Sequence, residues 1–331
     1  MPQYDDDTLK QKVQLYQVKL EEIRKEVSNV FVGQDEVVSN LIECFLCNGN
    51  VLLEGIPGVG KTLLVRALSK ITGCSYSRIQ FTPDLLPTDI IGITTYEEGK
   101  GFYTIKGPVF ANFVLGDEIN RSPPKVQSAL LEAMQERQVT IGKETYDLPQ
   151  PFFVMATQNP LEQLGTYKLP EAQLDRFLYK VIMDYPKTKE EILILDTNMT
   201  TKKFEDYNVQ PILNTDQIIE AQNLVKQIRT DTKMKEYIVR IVDATRHPEK
   251  YGLENAKYVS FGASPRASIG LFVASKAKAL IRNRIQVTPA DVKDVAKNVL
   301  RHRIVINFEG EAEGISSETV IDEILSKVKI I

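Results

Sequence analysis

The stretch that most constrains this chain is Gly55-Ile56-Pro57-Gly58-Val59-Gly60-Lys61-Thr62. It follows the apolar run Asn50 to Leu53, which reads as a buried strand, and leads into Thr62 to Ile71, which reads as a helix. In a G-x-x-x-x-G-K-[ST] loop so placed, the glycines let backbone N–H groups turn inward around phosphate oxygens, and the helix N-terminus adds its positive end. Lys61 can then reach the β- and γ-phosphates of a triphosphate, and the Thr62 hydroxyl can ligate Mg2+. A glycine-rich turn with no ligand is the bland alternative. The rarity of a chance match and the strand–loop–helix setting both weigh against it.

Such a loop belongs in an α/β fold, and the flanking pattern agrees. Val109 to Leu115 and Pro151 to Ala156 read as further buried strands, and Ser122 to Glu136 as a helix entered through Pro123 and Pro124. Strands separated by helices predict a parallel sheet with helices on both faces. After Pro186 the texture becomes helical, at Lys189 to Asn198, Thr215 to Thr230, Lys233 to His247, Pro265 to Arg284, Pro289 to Arg303 and Ser316 to Val328. Thr288-Pro289-Ala290-Asp291 is a good helix start. At the other end, Leu9, Val13, Tyr16, Leu20, Ile23 and Val27 form an amphipathic stripe that Asp7 or Thr8 can cap. The expected division is an N-terminal helix at 1–29, a P-loop core at 30–186 and a helical lid domain at 187–331.

Phe113-Val114-Leu115-Gly116-Asp117-Glu118 is an apolar strand ending in two acids. Beside a phosphate loop, Asp117 is placed to hold the Mg2+ shell and Glu118 to orient or deprotonate the attacking water. Alone, the pair reads equally well as surface charge. Asn159 ends another apolar strand, where a neutral amide can hold a water without adding charge. Arg176, in Leu174-Asp175-Arg176-Phe177, and Arg266, in Ser264-Pro265-Arg266, offer guanidinium groups for charge building on the γ-phosphate. Each has a plain reading as an ion-paired surface residue.

Composition narrows the classes. Of 331 residues, 43% are hydrophobic and 26% charged, with a formal net charge of −3, which gives no global basic field for nucleic acid. No apolar run is long enough for a membrane span, and Asp5, Asp6 and Asp7 are unlike a basic signal-peptide start, so a cytoplasmic protein is expected. Three cysteines suggest no disulfide framework. Cys44-x-x-Cys47 lacks a second ligand pair, and buried structural thiols are the preferred reading.

With these residues assembled, the chain resembles an AAA+ ATPase, and more narrowly the MoxR family. The resemblance runs from about Val30 to Arg303. It is carried by Asp117 to Pro124, by Leu130 to Arg137 and by Leu169 to Phe177; Gly116 departs from the Ala that many relatives have there. The resemblance implies that Asn159 is sensor 1, that Arg266 is sensor 2, and that Arg176 is an arginine finger reaching a neighbouring subunit's site. It implies an ATP site formed by Val32, Gly33 and Gly55 to Thr62 with Leu63, and Gln34 would lie near the adenine too. It further implies a homo-oligomeric ring, usually a hexamer, an insert within Pro83 to Phe110, and a hairpin at Val139 to Leu148. Partners bearing von Willebrand factor A domains, chaperone-like remodelling and metal-cofactor insertion are the family's associations. The ATPase subunit of a metal chelatase and a DNA motor are the competing readings. Against the motor, Lys100 and Lys106 are set against Glu97 and Glu98 in the insert, and no DNA-reading module follows. A non-hydrolysing scaffold is disfavoured because every expected catalytic position is filled. GTP is disfavoured because the N-K-x-D string is absent.

Overall fold

A computed structural model describes residues 4–159, 165–197 and 204–330. Pro160, which follows Asn159, and Asn198, the expected end of one helix, lie outside the described residues. The first helix, α1 (Asp6–Val30), buries the whole stripe from Leu9 to Val27. Its cap is neither Asp7 nor Thr8. The Asp5 carboxylate accepts from the Thr8 backbone N–H at 2.8 Å and from the Thr8 hydroxyl at 3.1 Å, because a capping oxygen serves the N–H three residues on. Those bonds hold the Asp5 carboxyl below its ordinary pKa.

After α2 (Asp35–Leu46) comes β1 (Val51–Gly55), then α3 (Lys61–Ile71), β2 (Tyr76–Gln80) and the short α4 (Pro87–Ile91). A hairpin of β3 (Gly92–Glu97) and β4 (Gly101–Lys106) fills the expected insert. Next are β5 (Phe113–Asp117), α5 (Pro124–Glu136), the hairpin β6 (Gln138–Ile141) and β7 (Glu144–Asp147), and β8 (Phe153–Gln158). The four-residue α6 (Glu171–Leu174), β9 (Tyr179–Met183) and α7 (Thr188–Thr197) follow. Five strands form one sheet in the order β2-β5-β8-β1-β9. Val51 pairs with Met155, Phe113 with Phe153 and Tyr76 with Phe113, all in parallel. Residues Val109 to Asn112, expected as strand, are turn: the Asn112 side chain donates to the Pro151 carbonyl at 2.8 Å and accepts from the Ser75 N–H at 3.1 Å. A side chain spent on tying two loops together ends the apolar run as a strand. Phe45, Phe113 and Phe153 then pack with ring centroids 4.7 to 5.3 Å apart.

The remaining elements are α8 (Thr215–Gln227), α9 (Thr232–Arg246), β10 (Val259–Phe261), α10 (Pro265–Ile281), α11 (Pro289–Leu300), β11 (Val305–Ile306), α12 (Phe308–Ala312) and α13 (Ser317–Lys327). Small residues Gly270, Ala274 and Ala277 lie buried along α10, and a Cβ on Gly270 would come within 3.0 Å of Val299. The start of α11 is the expected one. The buried Asp291 carboxylate accepts from the Thr288 N–H and hydroxyl, both at 2.8 Å.

The chain forms two compact units. One comprises 19–169 and 181–220, the other 1–18, 170–180 and 221–331. Residues 170–180 group with the helices, because Arg301 and Arg303 donate to the carbonyls of Lys180, Phe177 and Leu178.

Candidate nucleotide site

The parallel register sets three strand ends side by side. Glu54 pairs with Gln158 and Gly116 with Ala156, so Gly55, Asn159 and Asp117 emerge at one edge of the sheet. Ligands of open parallel sheets bind outside the carboxyl ends of the strands. Gly55 opens the loop, and its own packing is tight: a Cβ there would lie 2.6 Å from the Met183 carbonyl oxygen. Gly60 caps α3 at φ 83°, in the left-handed region that glycine tolerates. Its Cβ would also meet the Phe31 ring at 2.9 Å.

Lys61, the first residue of α3, turns its ammonium back to donate to the Gly55 carbonyl. Burial pushes its pKa below the ordinary value, against the opposing pull of Asp117, Glu118 and Glu54. An anionic ligand in the loop would favour the ammonium.

Asp117 and Glu118 are joined by a residue that the motifs did not flag. The buried Thr157 hydroxyl donates to Asp117 Oδ1 at 2.7 Å and accepts from the Glu118 N–H at 2.8 Å. That bond fixes Glu118 at φ 57°, turning its side chain away from the path that a continued strand would take. Asp117 Oδ2 accepts from Arg78 Nη2 at 2.5 Å and Nε at 3.2 Å. Glu118 Oε2 accepts from Gln80 at 3.0 Å and from Arg121 at 2.9 Å. Arg78, Gln80 and Arg121 were likewise unflagged. The alternation of Arg78 and Gln80 on one face of β2, next to an acid-tipped strand, was the available signal. Gly116 has a packing reason too: a Cβ would lie 2.9 Å from Leu130 and 3.2 Å from Phe81. Asn159 is buried.

Beside the loop is a cavity of about 550 Å3 lined by Val32, Gln34, Pro57 to Gly60 and Leu63, with Tyr185, Ile194 and Leu195 among the residues opposite. Its size is that of a small-molecule site. Gly33 and Ile56 do not line it. Gly33 sits at φ 78°, where a Cβ would collide with Glu190. The Gln34 amide donates to the Asp184 carbonyl at 3.0 Å, so this loop is tied to the end of β9. Tyr185, Ile194 and Leu195 were not expected, since nothing in their order marks them.

The two predicted arginines, Arg176 and Arg266, belong to the helical unit. Arg266 is in the first turn of α10, with Nη1 3.6 Å from Asp175 Oδ2. Arg176 follows α6 and its backbone N–H donates to the Gln173 carbonyl at 3.2 Å. Of the cysteines, Cys44 is buried as expected, whereas Cys47 and Cys74 are half-buried; all three are free. Among the described residues no cluster of His, Cys, Asp and Glu could hold a metal by itself, and no helix is long and apolar enough to cross a membrane.

A parallel sheet with a phosphate loop after one strand and an acid pair at the end of the next strand but one, in a chain that also carries a helical unit, defines the AAA class of ATPase, and the comparisons agree. Residues 50–179 match the "ATPase family associated with various cellular activities (AAA)", and residues 253–324 match the AAA lid domain. The chain is 48% identical over 307 residues to Chaperone MoxR1 of Mycobacterium tuberculosis, covering 92% of this chain and 80% of that one. It is 31% identical to Protein MoxR of Paracoccus denitrificans, covering 85% and 87%. A crystal structure of a candidate ATPase from Cytophaga hutchinsonii superposes with a TM-score of 0.92 at 47% identity, over 98% of both chains. The chain belongs to the MoxR family of AAA+ ATPases, and its activity is ATP hydrolysis.

Proposed function

We propose that this ATPase couples hydrolysis of Mg2+-bound ATP to chaperone-like remodelling of protein complexes. The observation that carries the reading is the Thr157-linked pair Asp117 and Glu118, whose charges reach Lys61 at the mouth of the loop. Gly55 to Thr62 cradle the phosphates, with Leu63 behind them, and the base and ribose occupy the cavity beside Val32, next to Gly33. The donor set suits a hard cation, since Thr62 and Asp117 offer one hydroxyl and one carboxylate and leave the other positions to water and phosphate. Bound there, the metal would neutralise charge on the β- and γ-phosphates. Glu118 orients and deprotonates the attacking water. Asn159 holds that water from the other side, and Arg266 meets the γ-phosphate from the chain's own lid. Arg176 serves the site of a neighbouring subunit, which requires a ring, in this reading a hexamer. The functional division is the core at 30–186, the lid at 187–331 and the helix at 1–29.

What favours a protein client over nucleic acid is the β3–β4 hairpin. It exposes Ile93, Tyr96, Phe102 and Ile105, while Lys100 pairs with Glu97 at 2.8 Å and Lys106 stacks on Phe110. Exposed apolar side chains, with Lys100 paired to an acid and Lys106 laid over an aromatic ring, suit polypeptide better than phosphate backbone. A partner with a von Willebrand factor A domain, a role in metal-cofactor insertion and a cytoplasmic location complete the proposal. The test is Glu118→Gln. Phosphate release should fall about 10²- to 10⁴-fold, the usual range for losing a general base. ATP should stay bound, and affinity capture with this trapped form should enrich one protein complex. Wild-type turnover by Glu118→Gln would remove the acid pair from the chemistry.

A further inference from the structure

Arg303 is buried, heavily bonded and unused by the chemistry above. Its Nε donates to Asp175 Oδ1 at 2.7 Å. Its Nη2 donates to the carbonyls of Asp175 at 3.2 Å and Phe177 at 2.6 Å, and its Nη1 to those of Leu178 at 3.2 Å and Val299. Two of these carbonyls, those of Asp175 and Phe177, flank Arg176, and that of Leu178 comes next along the chain. The buried His302 joins them, with Nε2 donating to the Phe177 carbonyl at 3.1 Å. Since a carbonyl can only accept, Nε2 carries a proton whichever charge state the ring is in. Burial and the neighbouring Arg303 charge push the His302 pKa well down, in the same direction.

Residues 175–178 follow a helix of only four residues and precede a strand, so no regular ladder holds them. The guanidinium supplies that ladder. The other Asp175 oxygen accepts from the Ser264 hydroxyl at 2.8 Å, and Ser264 is the N-cap of α10. The same oxygen lies 3.6 Å from Arg266 Nη1, a contact of opposite charges too long to be a hydrogen bond. Asp175 therefore holds the Arg176 segment through Arg303 and touches the helix end that carries Arg266.

We infer that Arg303, with Asp175, is a positioning residue for Arg176: it holds the Arg176 backbone so that the side chain is presented to a neighbouring subunit's ATP, in register with Arg266. This rests on the reading of Arg176 and Arg266 given above. The geometry is specific to a guanidinium, because a lysine ammonium is a point charge and cannot span the Asp175 carboxylate and several carbonyls at once.

The experiment uses the full-length assembled ATPase and three readouts on Arg303→Lys, with Asp175→Asn as a second, nearly isosteric variant should Arg303→Lys fail to unfold cooperatively. The turnover number should fall about 10²-fold, the effect of misplacing a catalytic group by about 1 Å, while binding of a fluorescent ATP analogue is unchanged. Arg176→Ala/Arg303→Lys should be no slower than Arg176→Ala alone, because the two changes remove one function. Mixing Arg303→Lys subunits with Glu118→Gln subunits should restore turnover, since the Glu118→Gln chain still presents a well-held Arg176 to its neighbour. Wild-type turnover by the single variant, multiplied losses in the double variant, or no recovery on mixing would each overturn the inference. Wild-type turnover by Arg176→Ala would instead remove the reading on which it stands, and the inference with it.

Discussion

Asp117 and Asp175 each meet an arginine, and the two meetings differ in kind. Arg78 reaches Asp117 from the edge strand β2 with 46% of its side chain exposed, whereas Arg303 reaches Asp175 with 3% exposed. An exposed pair contributes about 0–1 kcal/mol and is screened by salt. Removing one partner of a buried pair costs about 3–5 kcal/mol, because the charge left behind has no water to turn to. In the proposed reading, the carboxylate that exchanges partners when a nucleotide arrives is given a movable one. The carboxylate that has to hold a backbone segment still is given a fixed one.

The largest effect should therefore come from Asp175→Ala, measured by urea unfolding against the wild type. Loss of about 3–5 kcal/mol is expected, since the Arg303 guanidinium would stay buried without its carboxylate. A loss under about 1 kcal/mol would mean that the buried pair behaves like a surface pair, and the contrast with Asp117 would vanish.

The sequence pattern revealed the middle of this molecule better than its margins. Val51 to Leu53, Phe113 to Leu115 and Phe153 to Ala156 are buried on both faces, so their apolar runs stand out. The edge strands β2 and β9 mix exposed and buried positions, as in Tyr76-Ser77-Arg78-Ile79-Gln80, and no apolar run marks them. The same holds at the site. The loop Gly55 to Thr62 and the acid pair are contiguous strings whose chemistry is local. Thr157, Arg78 and Gln80 act only because parallel pairing sets β8 and β2 on either side of β5. Asp175 and Arg303 are 128 residues apart, and nothing short of the fold brings them together.

A smaller effect should separate burial from charge in the helical unit. The His302 imidazole is held neutral well below its ordinary pKa of 6.5. Below that pH the unfolded chain takes up a proton that the folded chain refuses, so the stability contribution is full above pH 6.5 and declines as pH falls toward the folded pKa. His302→Gln keeps an N–H donor for the Phe177 carbonyl and cannot titrate. Between about pH 6.5 and 5.5 it should lose less stability than the wild type, by at most about 1.4 kcal/mol for one proton. Parallel pH profiles for the two proteins would show that the ring titrates freely, and the segment around Arg176 would then be less enclosed than Asp175 and Arg303 imply.

The smallest effect is assigned to Arg78→Ala. Its stability should stay within about 1 kcal/mol of wild type, and the difference should shrink as salt is added. Turnover should change by only a few-fold, because Thr157 still orients Asp117 from the other oxygen and Gln80 with Arg121 still hold Glu118. Urea unfolding at low and high ionic strength checks the first expectation, and steady-state phosphate release checks the second. If turnover instead fell 10²-fold with ATP affinity unchanged, Arg78 would be acting on the transition state and not merely waiting to be displaced. The exposed arginine would then be as firmly required as the buried one, for chemistry in one place and for position in the other.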